Sequence, residues 1–163
     1  MNKLNETNTN RAREMMQSFW RVQRVLVRLM HQTAQQNDLT LPQLHGLMML
    51  NEQGAITQKE LVRRTKMPKS TLSQSLDGLV EKGLIRRDVN PDNRREVVLT
   101  IDTSGKRLIE EIEKQEQGTE QQLNQILSRL DEETYRHMIE AHQQIANELN
   151  EGHTECEGGC RHD

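Results

Sequence analysis

The stretch from Ile56 to Thr100, ITQKELVRRTKMPKSTLSQSLDGLVEKGLIRRDVNPDNRREVVLT, leaves this chain few ways to fold. Thr57 and Glu60 have the spacing of a T-x-x-E capping box, and Ile56 and Leu61 are placed as its hydrophobic staple. They open a short helix that runs to about Thr65 or Lys66. Pro68 marks the first turn of a second helix, which reaches Glu81 or Lys82 and stops at Gly83. Leu72, Leu76, Leu79 and Val80 fall at helical spacing and share one apolar face. Ile85–Val89 and Glu96–Thr100 then read as two antiparallel strands around the turn Asn90-Pro91-Asp92-Asn93. Two short helices across a tight turn, followed by a hairpin with an arginine-bearing loop, are the pattern of a winged helix-turn-helix. That module grips duplex DNA.

The second helix is the reading element. At about 100° per residue, the face opposite its leucines presents Ser70, Gln74, Asp77 and Glu81, flanked by Thr71, Ser73 and Gly78. A helix enters the major groove only if its outward face is narrow and polar near its N-terminus, and residues 69–74 (KSTLSQ) meet that need. Gln74 has the amide for a bidentate pair with adenine, while Ser70, Thr71 and Ser73 reach base edges or phosphates. Lys69 suits a phosphate. Asp77 and Glu81 would repel phosphates, so the N-terminal half should point into the groove. On the wing, Arg94 and Arg95 sit at the base of the loop as minor-groove candidates, and Asp92 is placed to hold Arg94 by a bidentate pair. Strand alternation turns only one of Arg86 and Arg87 outward, and Arg86 is the candidate phosphate contact. Arg63, Arg64 and Lys66 are generic backbone contacts at best.

Charge agrees once it is located. The total of -3 would not suggest a nucleic-acid partner, but residues 57–95 hold ten Lys/Arg against five Asp/Glu. Residues 103–163 hold six against fourteen, so phosphate attraction is concentrated on the winged segment and the C-terminal part is repelled.

The remaining segments divide the chain into a flexible N-terminus (1–10), a domain over 11–150 and a flexible tail (151–163). Within the domain, helices at 11–36 and 103–150 flank the winged helix-turn-helix at 39–101, so the fold class is mainly α with a small β-wing. Thr40 caps the helix before the reading head, with Gln43 completing its capping box and Leu39 and Leu44 its staple. Thr103–Leu127 keeps a helical period with Gly118 as a kink point, and Asp131 caps a last helix. The apolar stripes of 11–36, 103–127 and 131–150 are wider than one small head can cover, which points to a homodimer. Phe19, Trp20, Leu26, Tyr135, Ile139, Ile145 and Leu149 are its candidate contacts.

No run approaches the roughly eighteen apolar residues of a membrane span, and the chain does not open on a signal-peptide pattern, so a cytoplasmic protein is expected. Nothing resembles a nucleophile–base pair or a phosphate loop, which argues against an enzyme. Both cysteines lie in the tail, where His153, Cys156, Cys160 and His162 form an H-x2-C-x3-C-x-H cluster. Three readings stay open there: a zinc-type ligand set, a disulfide between Cys156 and Cys160 that senses oxidants, and a tail with no defined role. No cofactor is otherwise expected.

TQKELVRRTKMPKSTLSQSLDGLVEKGLIRR followed by DNRREVVLTIDTSG resembles the MarR family of bacterial transcription regulators. Asp92 and Arg94 match the D-x-R wing motif, Leu99, Thr100 and Gly105 match the strand-to-helix junction, and LTLPQLHGLMML resembles the helix before the head. The likeness covers roughly residues 11–150, with two departures: Lys66 stands where many members have glycine, and Pro68 where many have serine. The resemblance implies an obligate homodimer on double-stranded DNA, located with the bacterial nucleoid when bound. Most members repress, reading a pseudo-palindromic operator, and a small phenolic or lipophilic effector, a metal or an oxidant releases them. It implies a ligand pocket near Met15, Phe19, Met48 and Met49. A non-specific architectural DNA-binding protein is the alternative.

Overall fold

The computed structural model describes residues 3–91 and 93–154. They form α1 (Lys3–Gln36), α2 (Leu41–Gln53), β1 (Ala55–Thr57), α3 (Gln58–Thr65), α4 (Lys69–Glu81), β2 (Ile85–Val89), β3 (Val97–Ile101), α5 (Thr103–Lys114), α6 (Thr119–Leu127) and α7 (Glu132–Thr154). By packing, the chain divides into two compact units, Met1–Gln122 and Leu123–Asp163.

The first unit holds the core. Ten leucines and five isoleucines, with Ala34, make up its buried hydrophobic residues; Leu47, Leu50, Leu61, Leu72, Leu76, Leu79 and Leu99 are fully enclosed. α2 lies against α4, and α5 packs on α2. Ile109 and Ile112 bring α5 into this core, so the head extends past the expected boundary at residue 101.

Local chemistry explains the element ends. Thr40 Oγ1 accepts from the Gln43 N–H at 3.3 Å, and Gln43 Oε1 accepts from the Thr40 N–H at 2.9 Å, a complete capping box. Gly54, at φ 74°, closes α2 in a region that side chains rarely enter. Thr57 caps α3 through the Glu60 N–H, but the expected box is only half made there. The Glu60 carboxylate turns instead to Arg63 and Arg64, each at 2.7 Å.

Several expectations are corrected. α1 begins at Lys3 rather than near Arg11, because no glycine or proline interrupts residues 3–10. A third strand, β1, pairs antiparallel with β3 (Ile56 opposite Leu99), giving the order β1-β3-β2. β3 starts at Val97 because the Glu96 N–H closes a turn onto the Asn93 carbonyl. The helix expected over 103–127 is two helices. Its break falls at Gln115–Gly118, where a side chain on Gly118 would stand 2.9 Å from the Gln115 carbonyl and 3.0 Å from that of Ile112. On α4, Val80 is exposed and Ser75 takes the buried place, its hydroxyl donating to the Thr71 carbonyl at 2.8 Å. Buried leucines at 72, 76 and 79 centre the core arc near Leu72, with Ser75 and Val80 at its two edges; the edge that carries Ser75 is the covered one.

Lys66 ends α3 in the left-handed conformation, at φ 51° and ψ 19°. Replacing it with glycine relieves a steric cost of about 1–2 kcal/mol against an entropic cost of about 0.5–1 kcal/mol. Lys66→Gly is therefore expected to stabilise the protein by up to about 1.5 kcal/mol. Thermal unfolding of the two forms checks this; a lower melting temperature in the variant contradicts it.

In the second unit, Asp131 accepts the Thr134 N–H at 2.9 Å and its hydroxyl at 2.7 Å, which starts α7. The Thr134 amide, then its hydroxyl, holds the Asp131 carboxyl below its usual range. Leu149 is 63% exposed on α7, and Tyr135 and Ile139 are exposed as well.

A candidate nucleic-acid interface

α4 is anchored by its buried leucines and leaves the opposite face open. Pro68 precedes its first residue as N-cap, not within the first turn, and makes no side-chain cap bond. Lys69, Ser70 and Gln74 are exposed, while Thr71 and Ser73 are half-buried. Ser73 is partly occupied, since the Gln58 amide of α3 donates to its hydroxyl oxygen at 3.1 Å. Gly78 belongs to packing rather than to the reading face, because a side chain there would meet the Gln43 amide at 2.4 Å.

Asp77 does not stand free. It accepts from Arg87 Nη1 at 2.5 Å, which ties α4 to β2 and offsets a charge that would repel phosphate. Alternation from buried Ile85 places Arg87 on the helix side of the sheet, a signal that the sequence carries. Arg86 turns the other way, as expected, and is 65% exposed, but its Nε lies 3.2 Å from the α5 cap residue Asp102. Its charge is therefore partly met within the protein.

The wing is two successive turns. The Asn93 N–H donates to the Asn90 carbonyl at 3.2 Å, the Glu96 N–H to the Asn93 carbonyl at 2.9 Å, and the Asn90 N–H to the Glu96 carbonyl at 3.0 Å. Arg94 and Arg95 occupy the centre of the second turn rather than the base of the loop, and both are exposed. Asn93 Oδ1 fixes this turn by accepting the Arg95 N–H at 3.2 Å. Asp92 lies outside the described residues, as do Cys156, Cys160, His162 and the His153 side chain.

Ion pairing sorts the basic excess. Glu60 engages Arg63 and Arg64, and the Arg63 hydrogen bond, followed by that of Arg64, lowers its carboxyl to a pKa of about 2. Arg64 also donates to Gln53 at 2.7 Å. With Arg86 and Arg87 paired as well, the cations around the reading face that have no ion pair are Lys59, Lys66, Lys69, Arg94 and Arg95, among the described residues. Lys59, Lys69 and Arg95 line one cleft between α3, the start of α4 and the wing, with Glu96 at its edge and Val62 and Val97 in its wall. Lys59 is not legible as a site residue in the sequence. Its place in the cleft depends on a wing residue far along the chain, and no local pattern announces that.

Of the residues expected to line a ligand pocket, Met15 and Met48 are 45% and 37% exposed, and Met49 packs against the core. No helix among the described residues is long and apolar enough to cross a membrane. No cluster of three or more metal-ligating side chains occurs among them.

A reading helix seated across a tight turn from α3, beside a hairpin tipped with arginines, defines a winged helix-turn-helix of the DNA-binding class. Comparison with known proteins narrows the class. Residues 39–97, the winged head, match the model of the MarR family. The chain is 27% identical over 71 residues to YfiV, an HTH-type transcriptional regulator of Bacillus subtilis; the match spans 44% of each chain. Its fold is similar to that of wild-type apo MarR from E. coli (TM-score 0.66, 21% identity, 79% of this chain and 93% of that one). It is equally similar to BpsR of Bordetella bronchiseptica, whose DNA binding is regulated by 6-hydroxynicotinic acid (TM-score 0.66, 22% identity, 82% and 98%).

Proposed function

We propose that the chain is a cytoplasmic, homodimeric transcription regulator that reads a pseudo-palindromic DNA operator and represses from it until a small effector releases it. The observation that carries this reading is the exposed N-terminal half of α4. Ser70 and Gln74 project there between unpaired cations, on a helix whose other face is locked into the core. Gln74 pairs with adenine in the major groove, and Arg94 enters the adjacent minor groove. Two heads related by a two-fold axis then address half-sites about 34–36 Å apart, one turn of DNA.

Exposed apolar residues on α1 and α7 support the dimer. Met16, Trp20 and Val22 are about half exposed on one helix, and Leu149 on the other. Release by an effector has its support in BpsR, whose fold this chain shares.

The test is sequence-dependent binding. Gln74→Ala is expected to lower affinity for a selected operator by about 5- to 150-fold, the worth of one bidentate base contact. It should also relax the preference at a single base-pair position in each half-site. A non-specific architectural protein would instead bind all duplexes alike, with Gln74→Ala changing nothing in their ranking. Fluorescence anisotropy on matched and mutated duplexes separates the two.

A further inference from the structure

The cleft between α3, the first turn of α4 and the wing gathers three cations from three elements: Lys59, Lys69 and Arg95. None of them has an ion-pair partner among the described residues, whereas Arg63, Arg64, Arg86 and Arg87 each do. Glu96 is the acid that borders the cleft, so the local balance is positive by two formal charges. Val62 and Val97 wall it, and both are half-buried and packed against the core. Apolar walls lower the local dielectric, so an anion held there is attracted more strongly than on an open surface.

A lone surface lysine does not select an anion. Three cations lining one cleft with a single carboxylate, Glu96, differ because they leave a positive excess that an entering anion neutralises. The neighbouring reading face says which anion that is, since Lys69 begins the helix whose next residue, Ser70, is exposed toward the groove. A duplex docked on α4 therefore brings its sugar-phosphate backbone to this cleft. Arg94 does not line the cleft although it adjoins Arg95 in the same turn.

We infer that this cleft is a clamp for one backbone phosphodiester of the bound duplex, held jointly by Lys59, Lys69 and Arg95. The two wing arginines then divide the work, with Arg95 fixing the backbone and Arg94 alone reaching into the minor groove. Because the clamp takes in α3, α4 and the wing at once, it sets the depth and angle of the reading helix. It carries no base information itself. This inference rests on the reading of the head as a DNA-binding module.

The experiment is a cycle between protein cations and single DNA phosphates. A duplex enriched from a random pool by the wild-type protein is remade with one neutral methylphosphonate at a time. Wild type is expected to lose affinity about tenfold, the scale of one charge-assisted contact, at one backbone position in each half-site. Lys59→Gln and Arg95→Gln should each bind the unmodified duplex about tenfold more weakly, and each should become indifferent to a methylphosphonate at that same position. Lys59→Arg should restore the sensitivity. A separate reading needs no fixed register: Lys59→Gln should reduce the slope of log affinity against log salt by about 0.9. Lys59 is exposed, so its substitution leaves the fold intact.

If Lys59→Gln and Arg95→Gln respond to different phosphates, or Lys59→Gln keeps both the affinity and the salt slope, the clamp is overturned. Should that happen while Gln74→Ala and Arg94→Ala still weaken binding, the DNA-binding reading stands without it. A pool that yields no bound duplex overturns both. Displacement of Lys59-dependent binding by inorganic phosphate alone, with no methylphosphonate position singled out, would mark a free-anion site and also overturn the clamp.

Discussion

Trp20→Asp combined with Leu149→Asp is expected to leave a folded monomer whose operator affinity is lower by about two to four orders of magnitude. In the single chain these side chains are 55% and 63% exposed, so placing a carboxylate there costs the isolated protomer little. Across a dimer interface the same carboxylates would be buried without partners, which costs several kcal/mol. Losing the second head removes an intramolecular binding event, and that is worth about 10²–10⁴ in affinity. Sedimentation gives the mass, anisotropy the affinity, and circular dichroism the helix content. A variant that sediments as a dimer and binds like wild type would remove α1 and α7 from the interface.

Gly105→Ala is expected to produce the largest loss of stability, about 3 kcal/mol or more, beyond the usual cost of overpacking because backbone is involved. A Cβ at Gly105 would lie 2.2 Å from the Leu84 carbonyl oxygen, 2.8 Å from Ile101 Cγ1 and 3.2 Å from Leu47 Cδ1. The carbonyl cannot retreat, because it already accepts the Asp102 N–H at 2.9 Å. Helix propensity favours alanine by about 1 kcal/mol, too little to offset the clash. Gly46 is the control: a Cβ there meets only Leu79 Cδ1, at 3.8 Å, which is ordinary contact. Denaturant unfolding should find Gly105→Ala far below wild type and Gly46→Ala close to it or above it. Equal midpoints for both variants would refute the packing argument.

The two glycines show what the sequence conveys and what it withholds. Positions governed by local chemistry were readable: Thr40, Thr57 and Asp131 as caps, Gly54 and Gly83 as stops, and the leucine period of α4. Those signals act over a few residues. β1 escaped notice because three residues are too few to show alternation, and its partner β3 lies more than forty positions away. The break before α6 was readable only as a kink at Gly118, since nothing in Gln115–Gln117 forbids a helix by itself. At the site, the outward face followed from period alone, and so did Gln74. Which cations remain open did not, because Arg87 meets Asp77 and Arg86 meets Asp102 only once strand, helix and cap are folded together. Lys59 was invisible for the same reason.

The buried core is aliphatic throughout, while the chain's Phe19, Trp20 and Tyr135 lie on α1 and α7. Optical signals from this protein therefore have a fixed address. The emission of Trp20 reports the surroundings of α1, and the winged head carries no aromatic chromophore. A change in that emission on dilution or on adding a compound would register assembly or effector capture, while unfolding of the head would show in far-ultraviolet circular dichroism and not in aromatic fluorescence. An aromatic reporter for the head would have to be introduced, and Val89, 64% exposed at the end of β2, offers a place that leaves the core untouched.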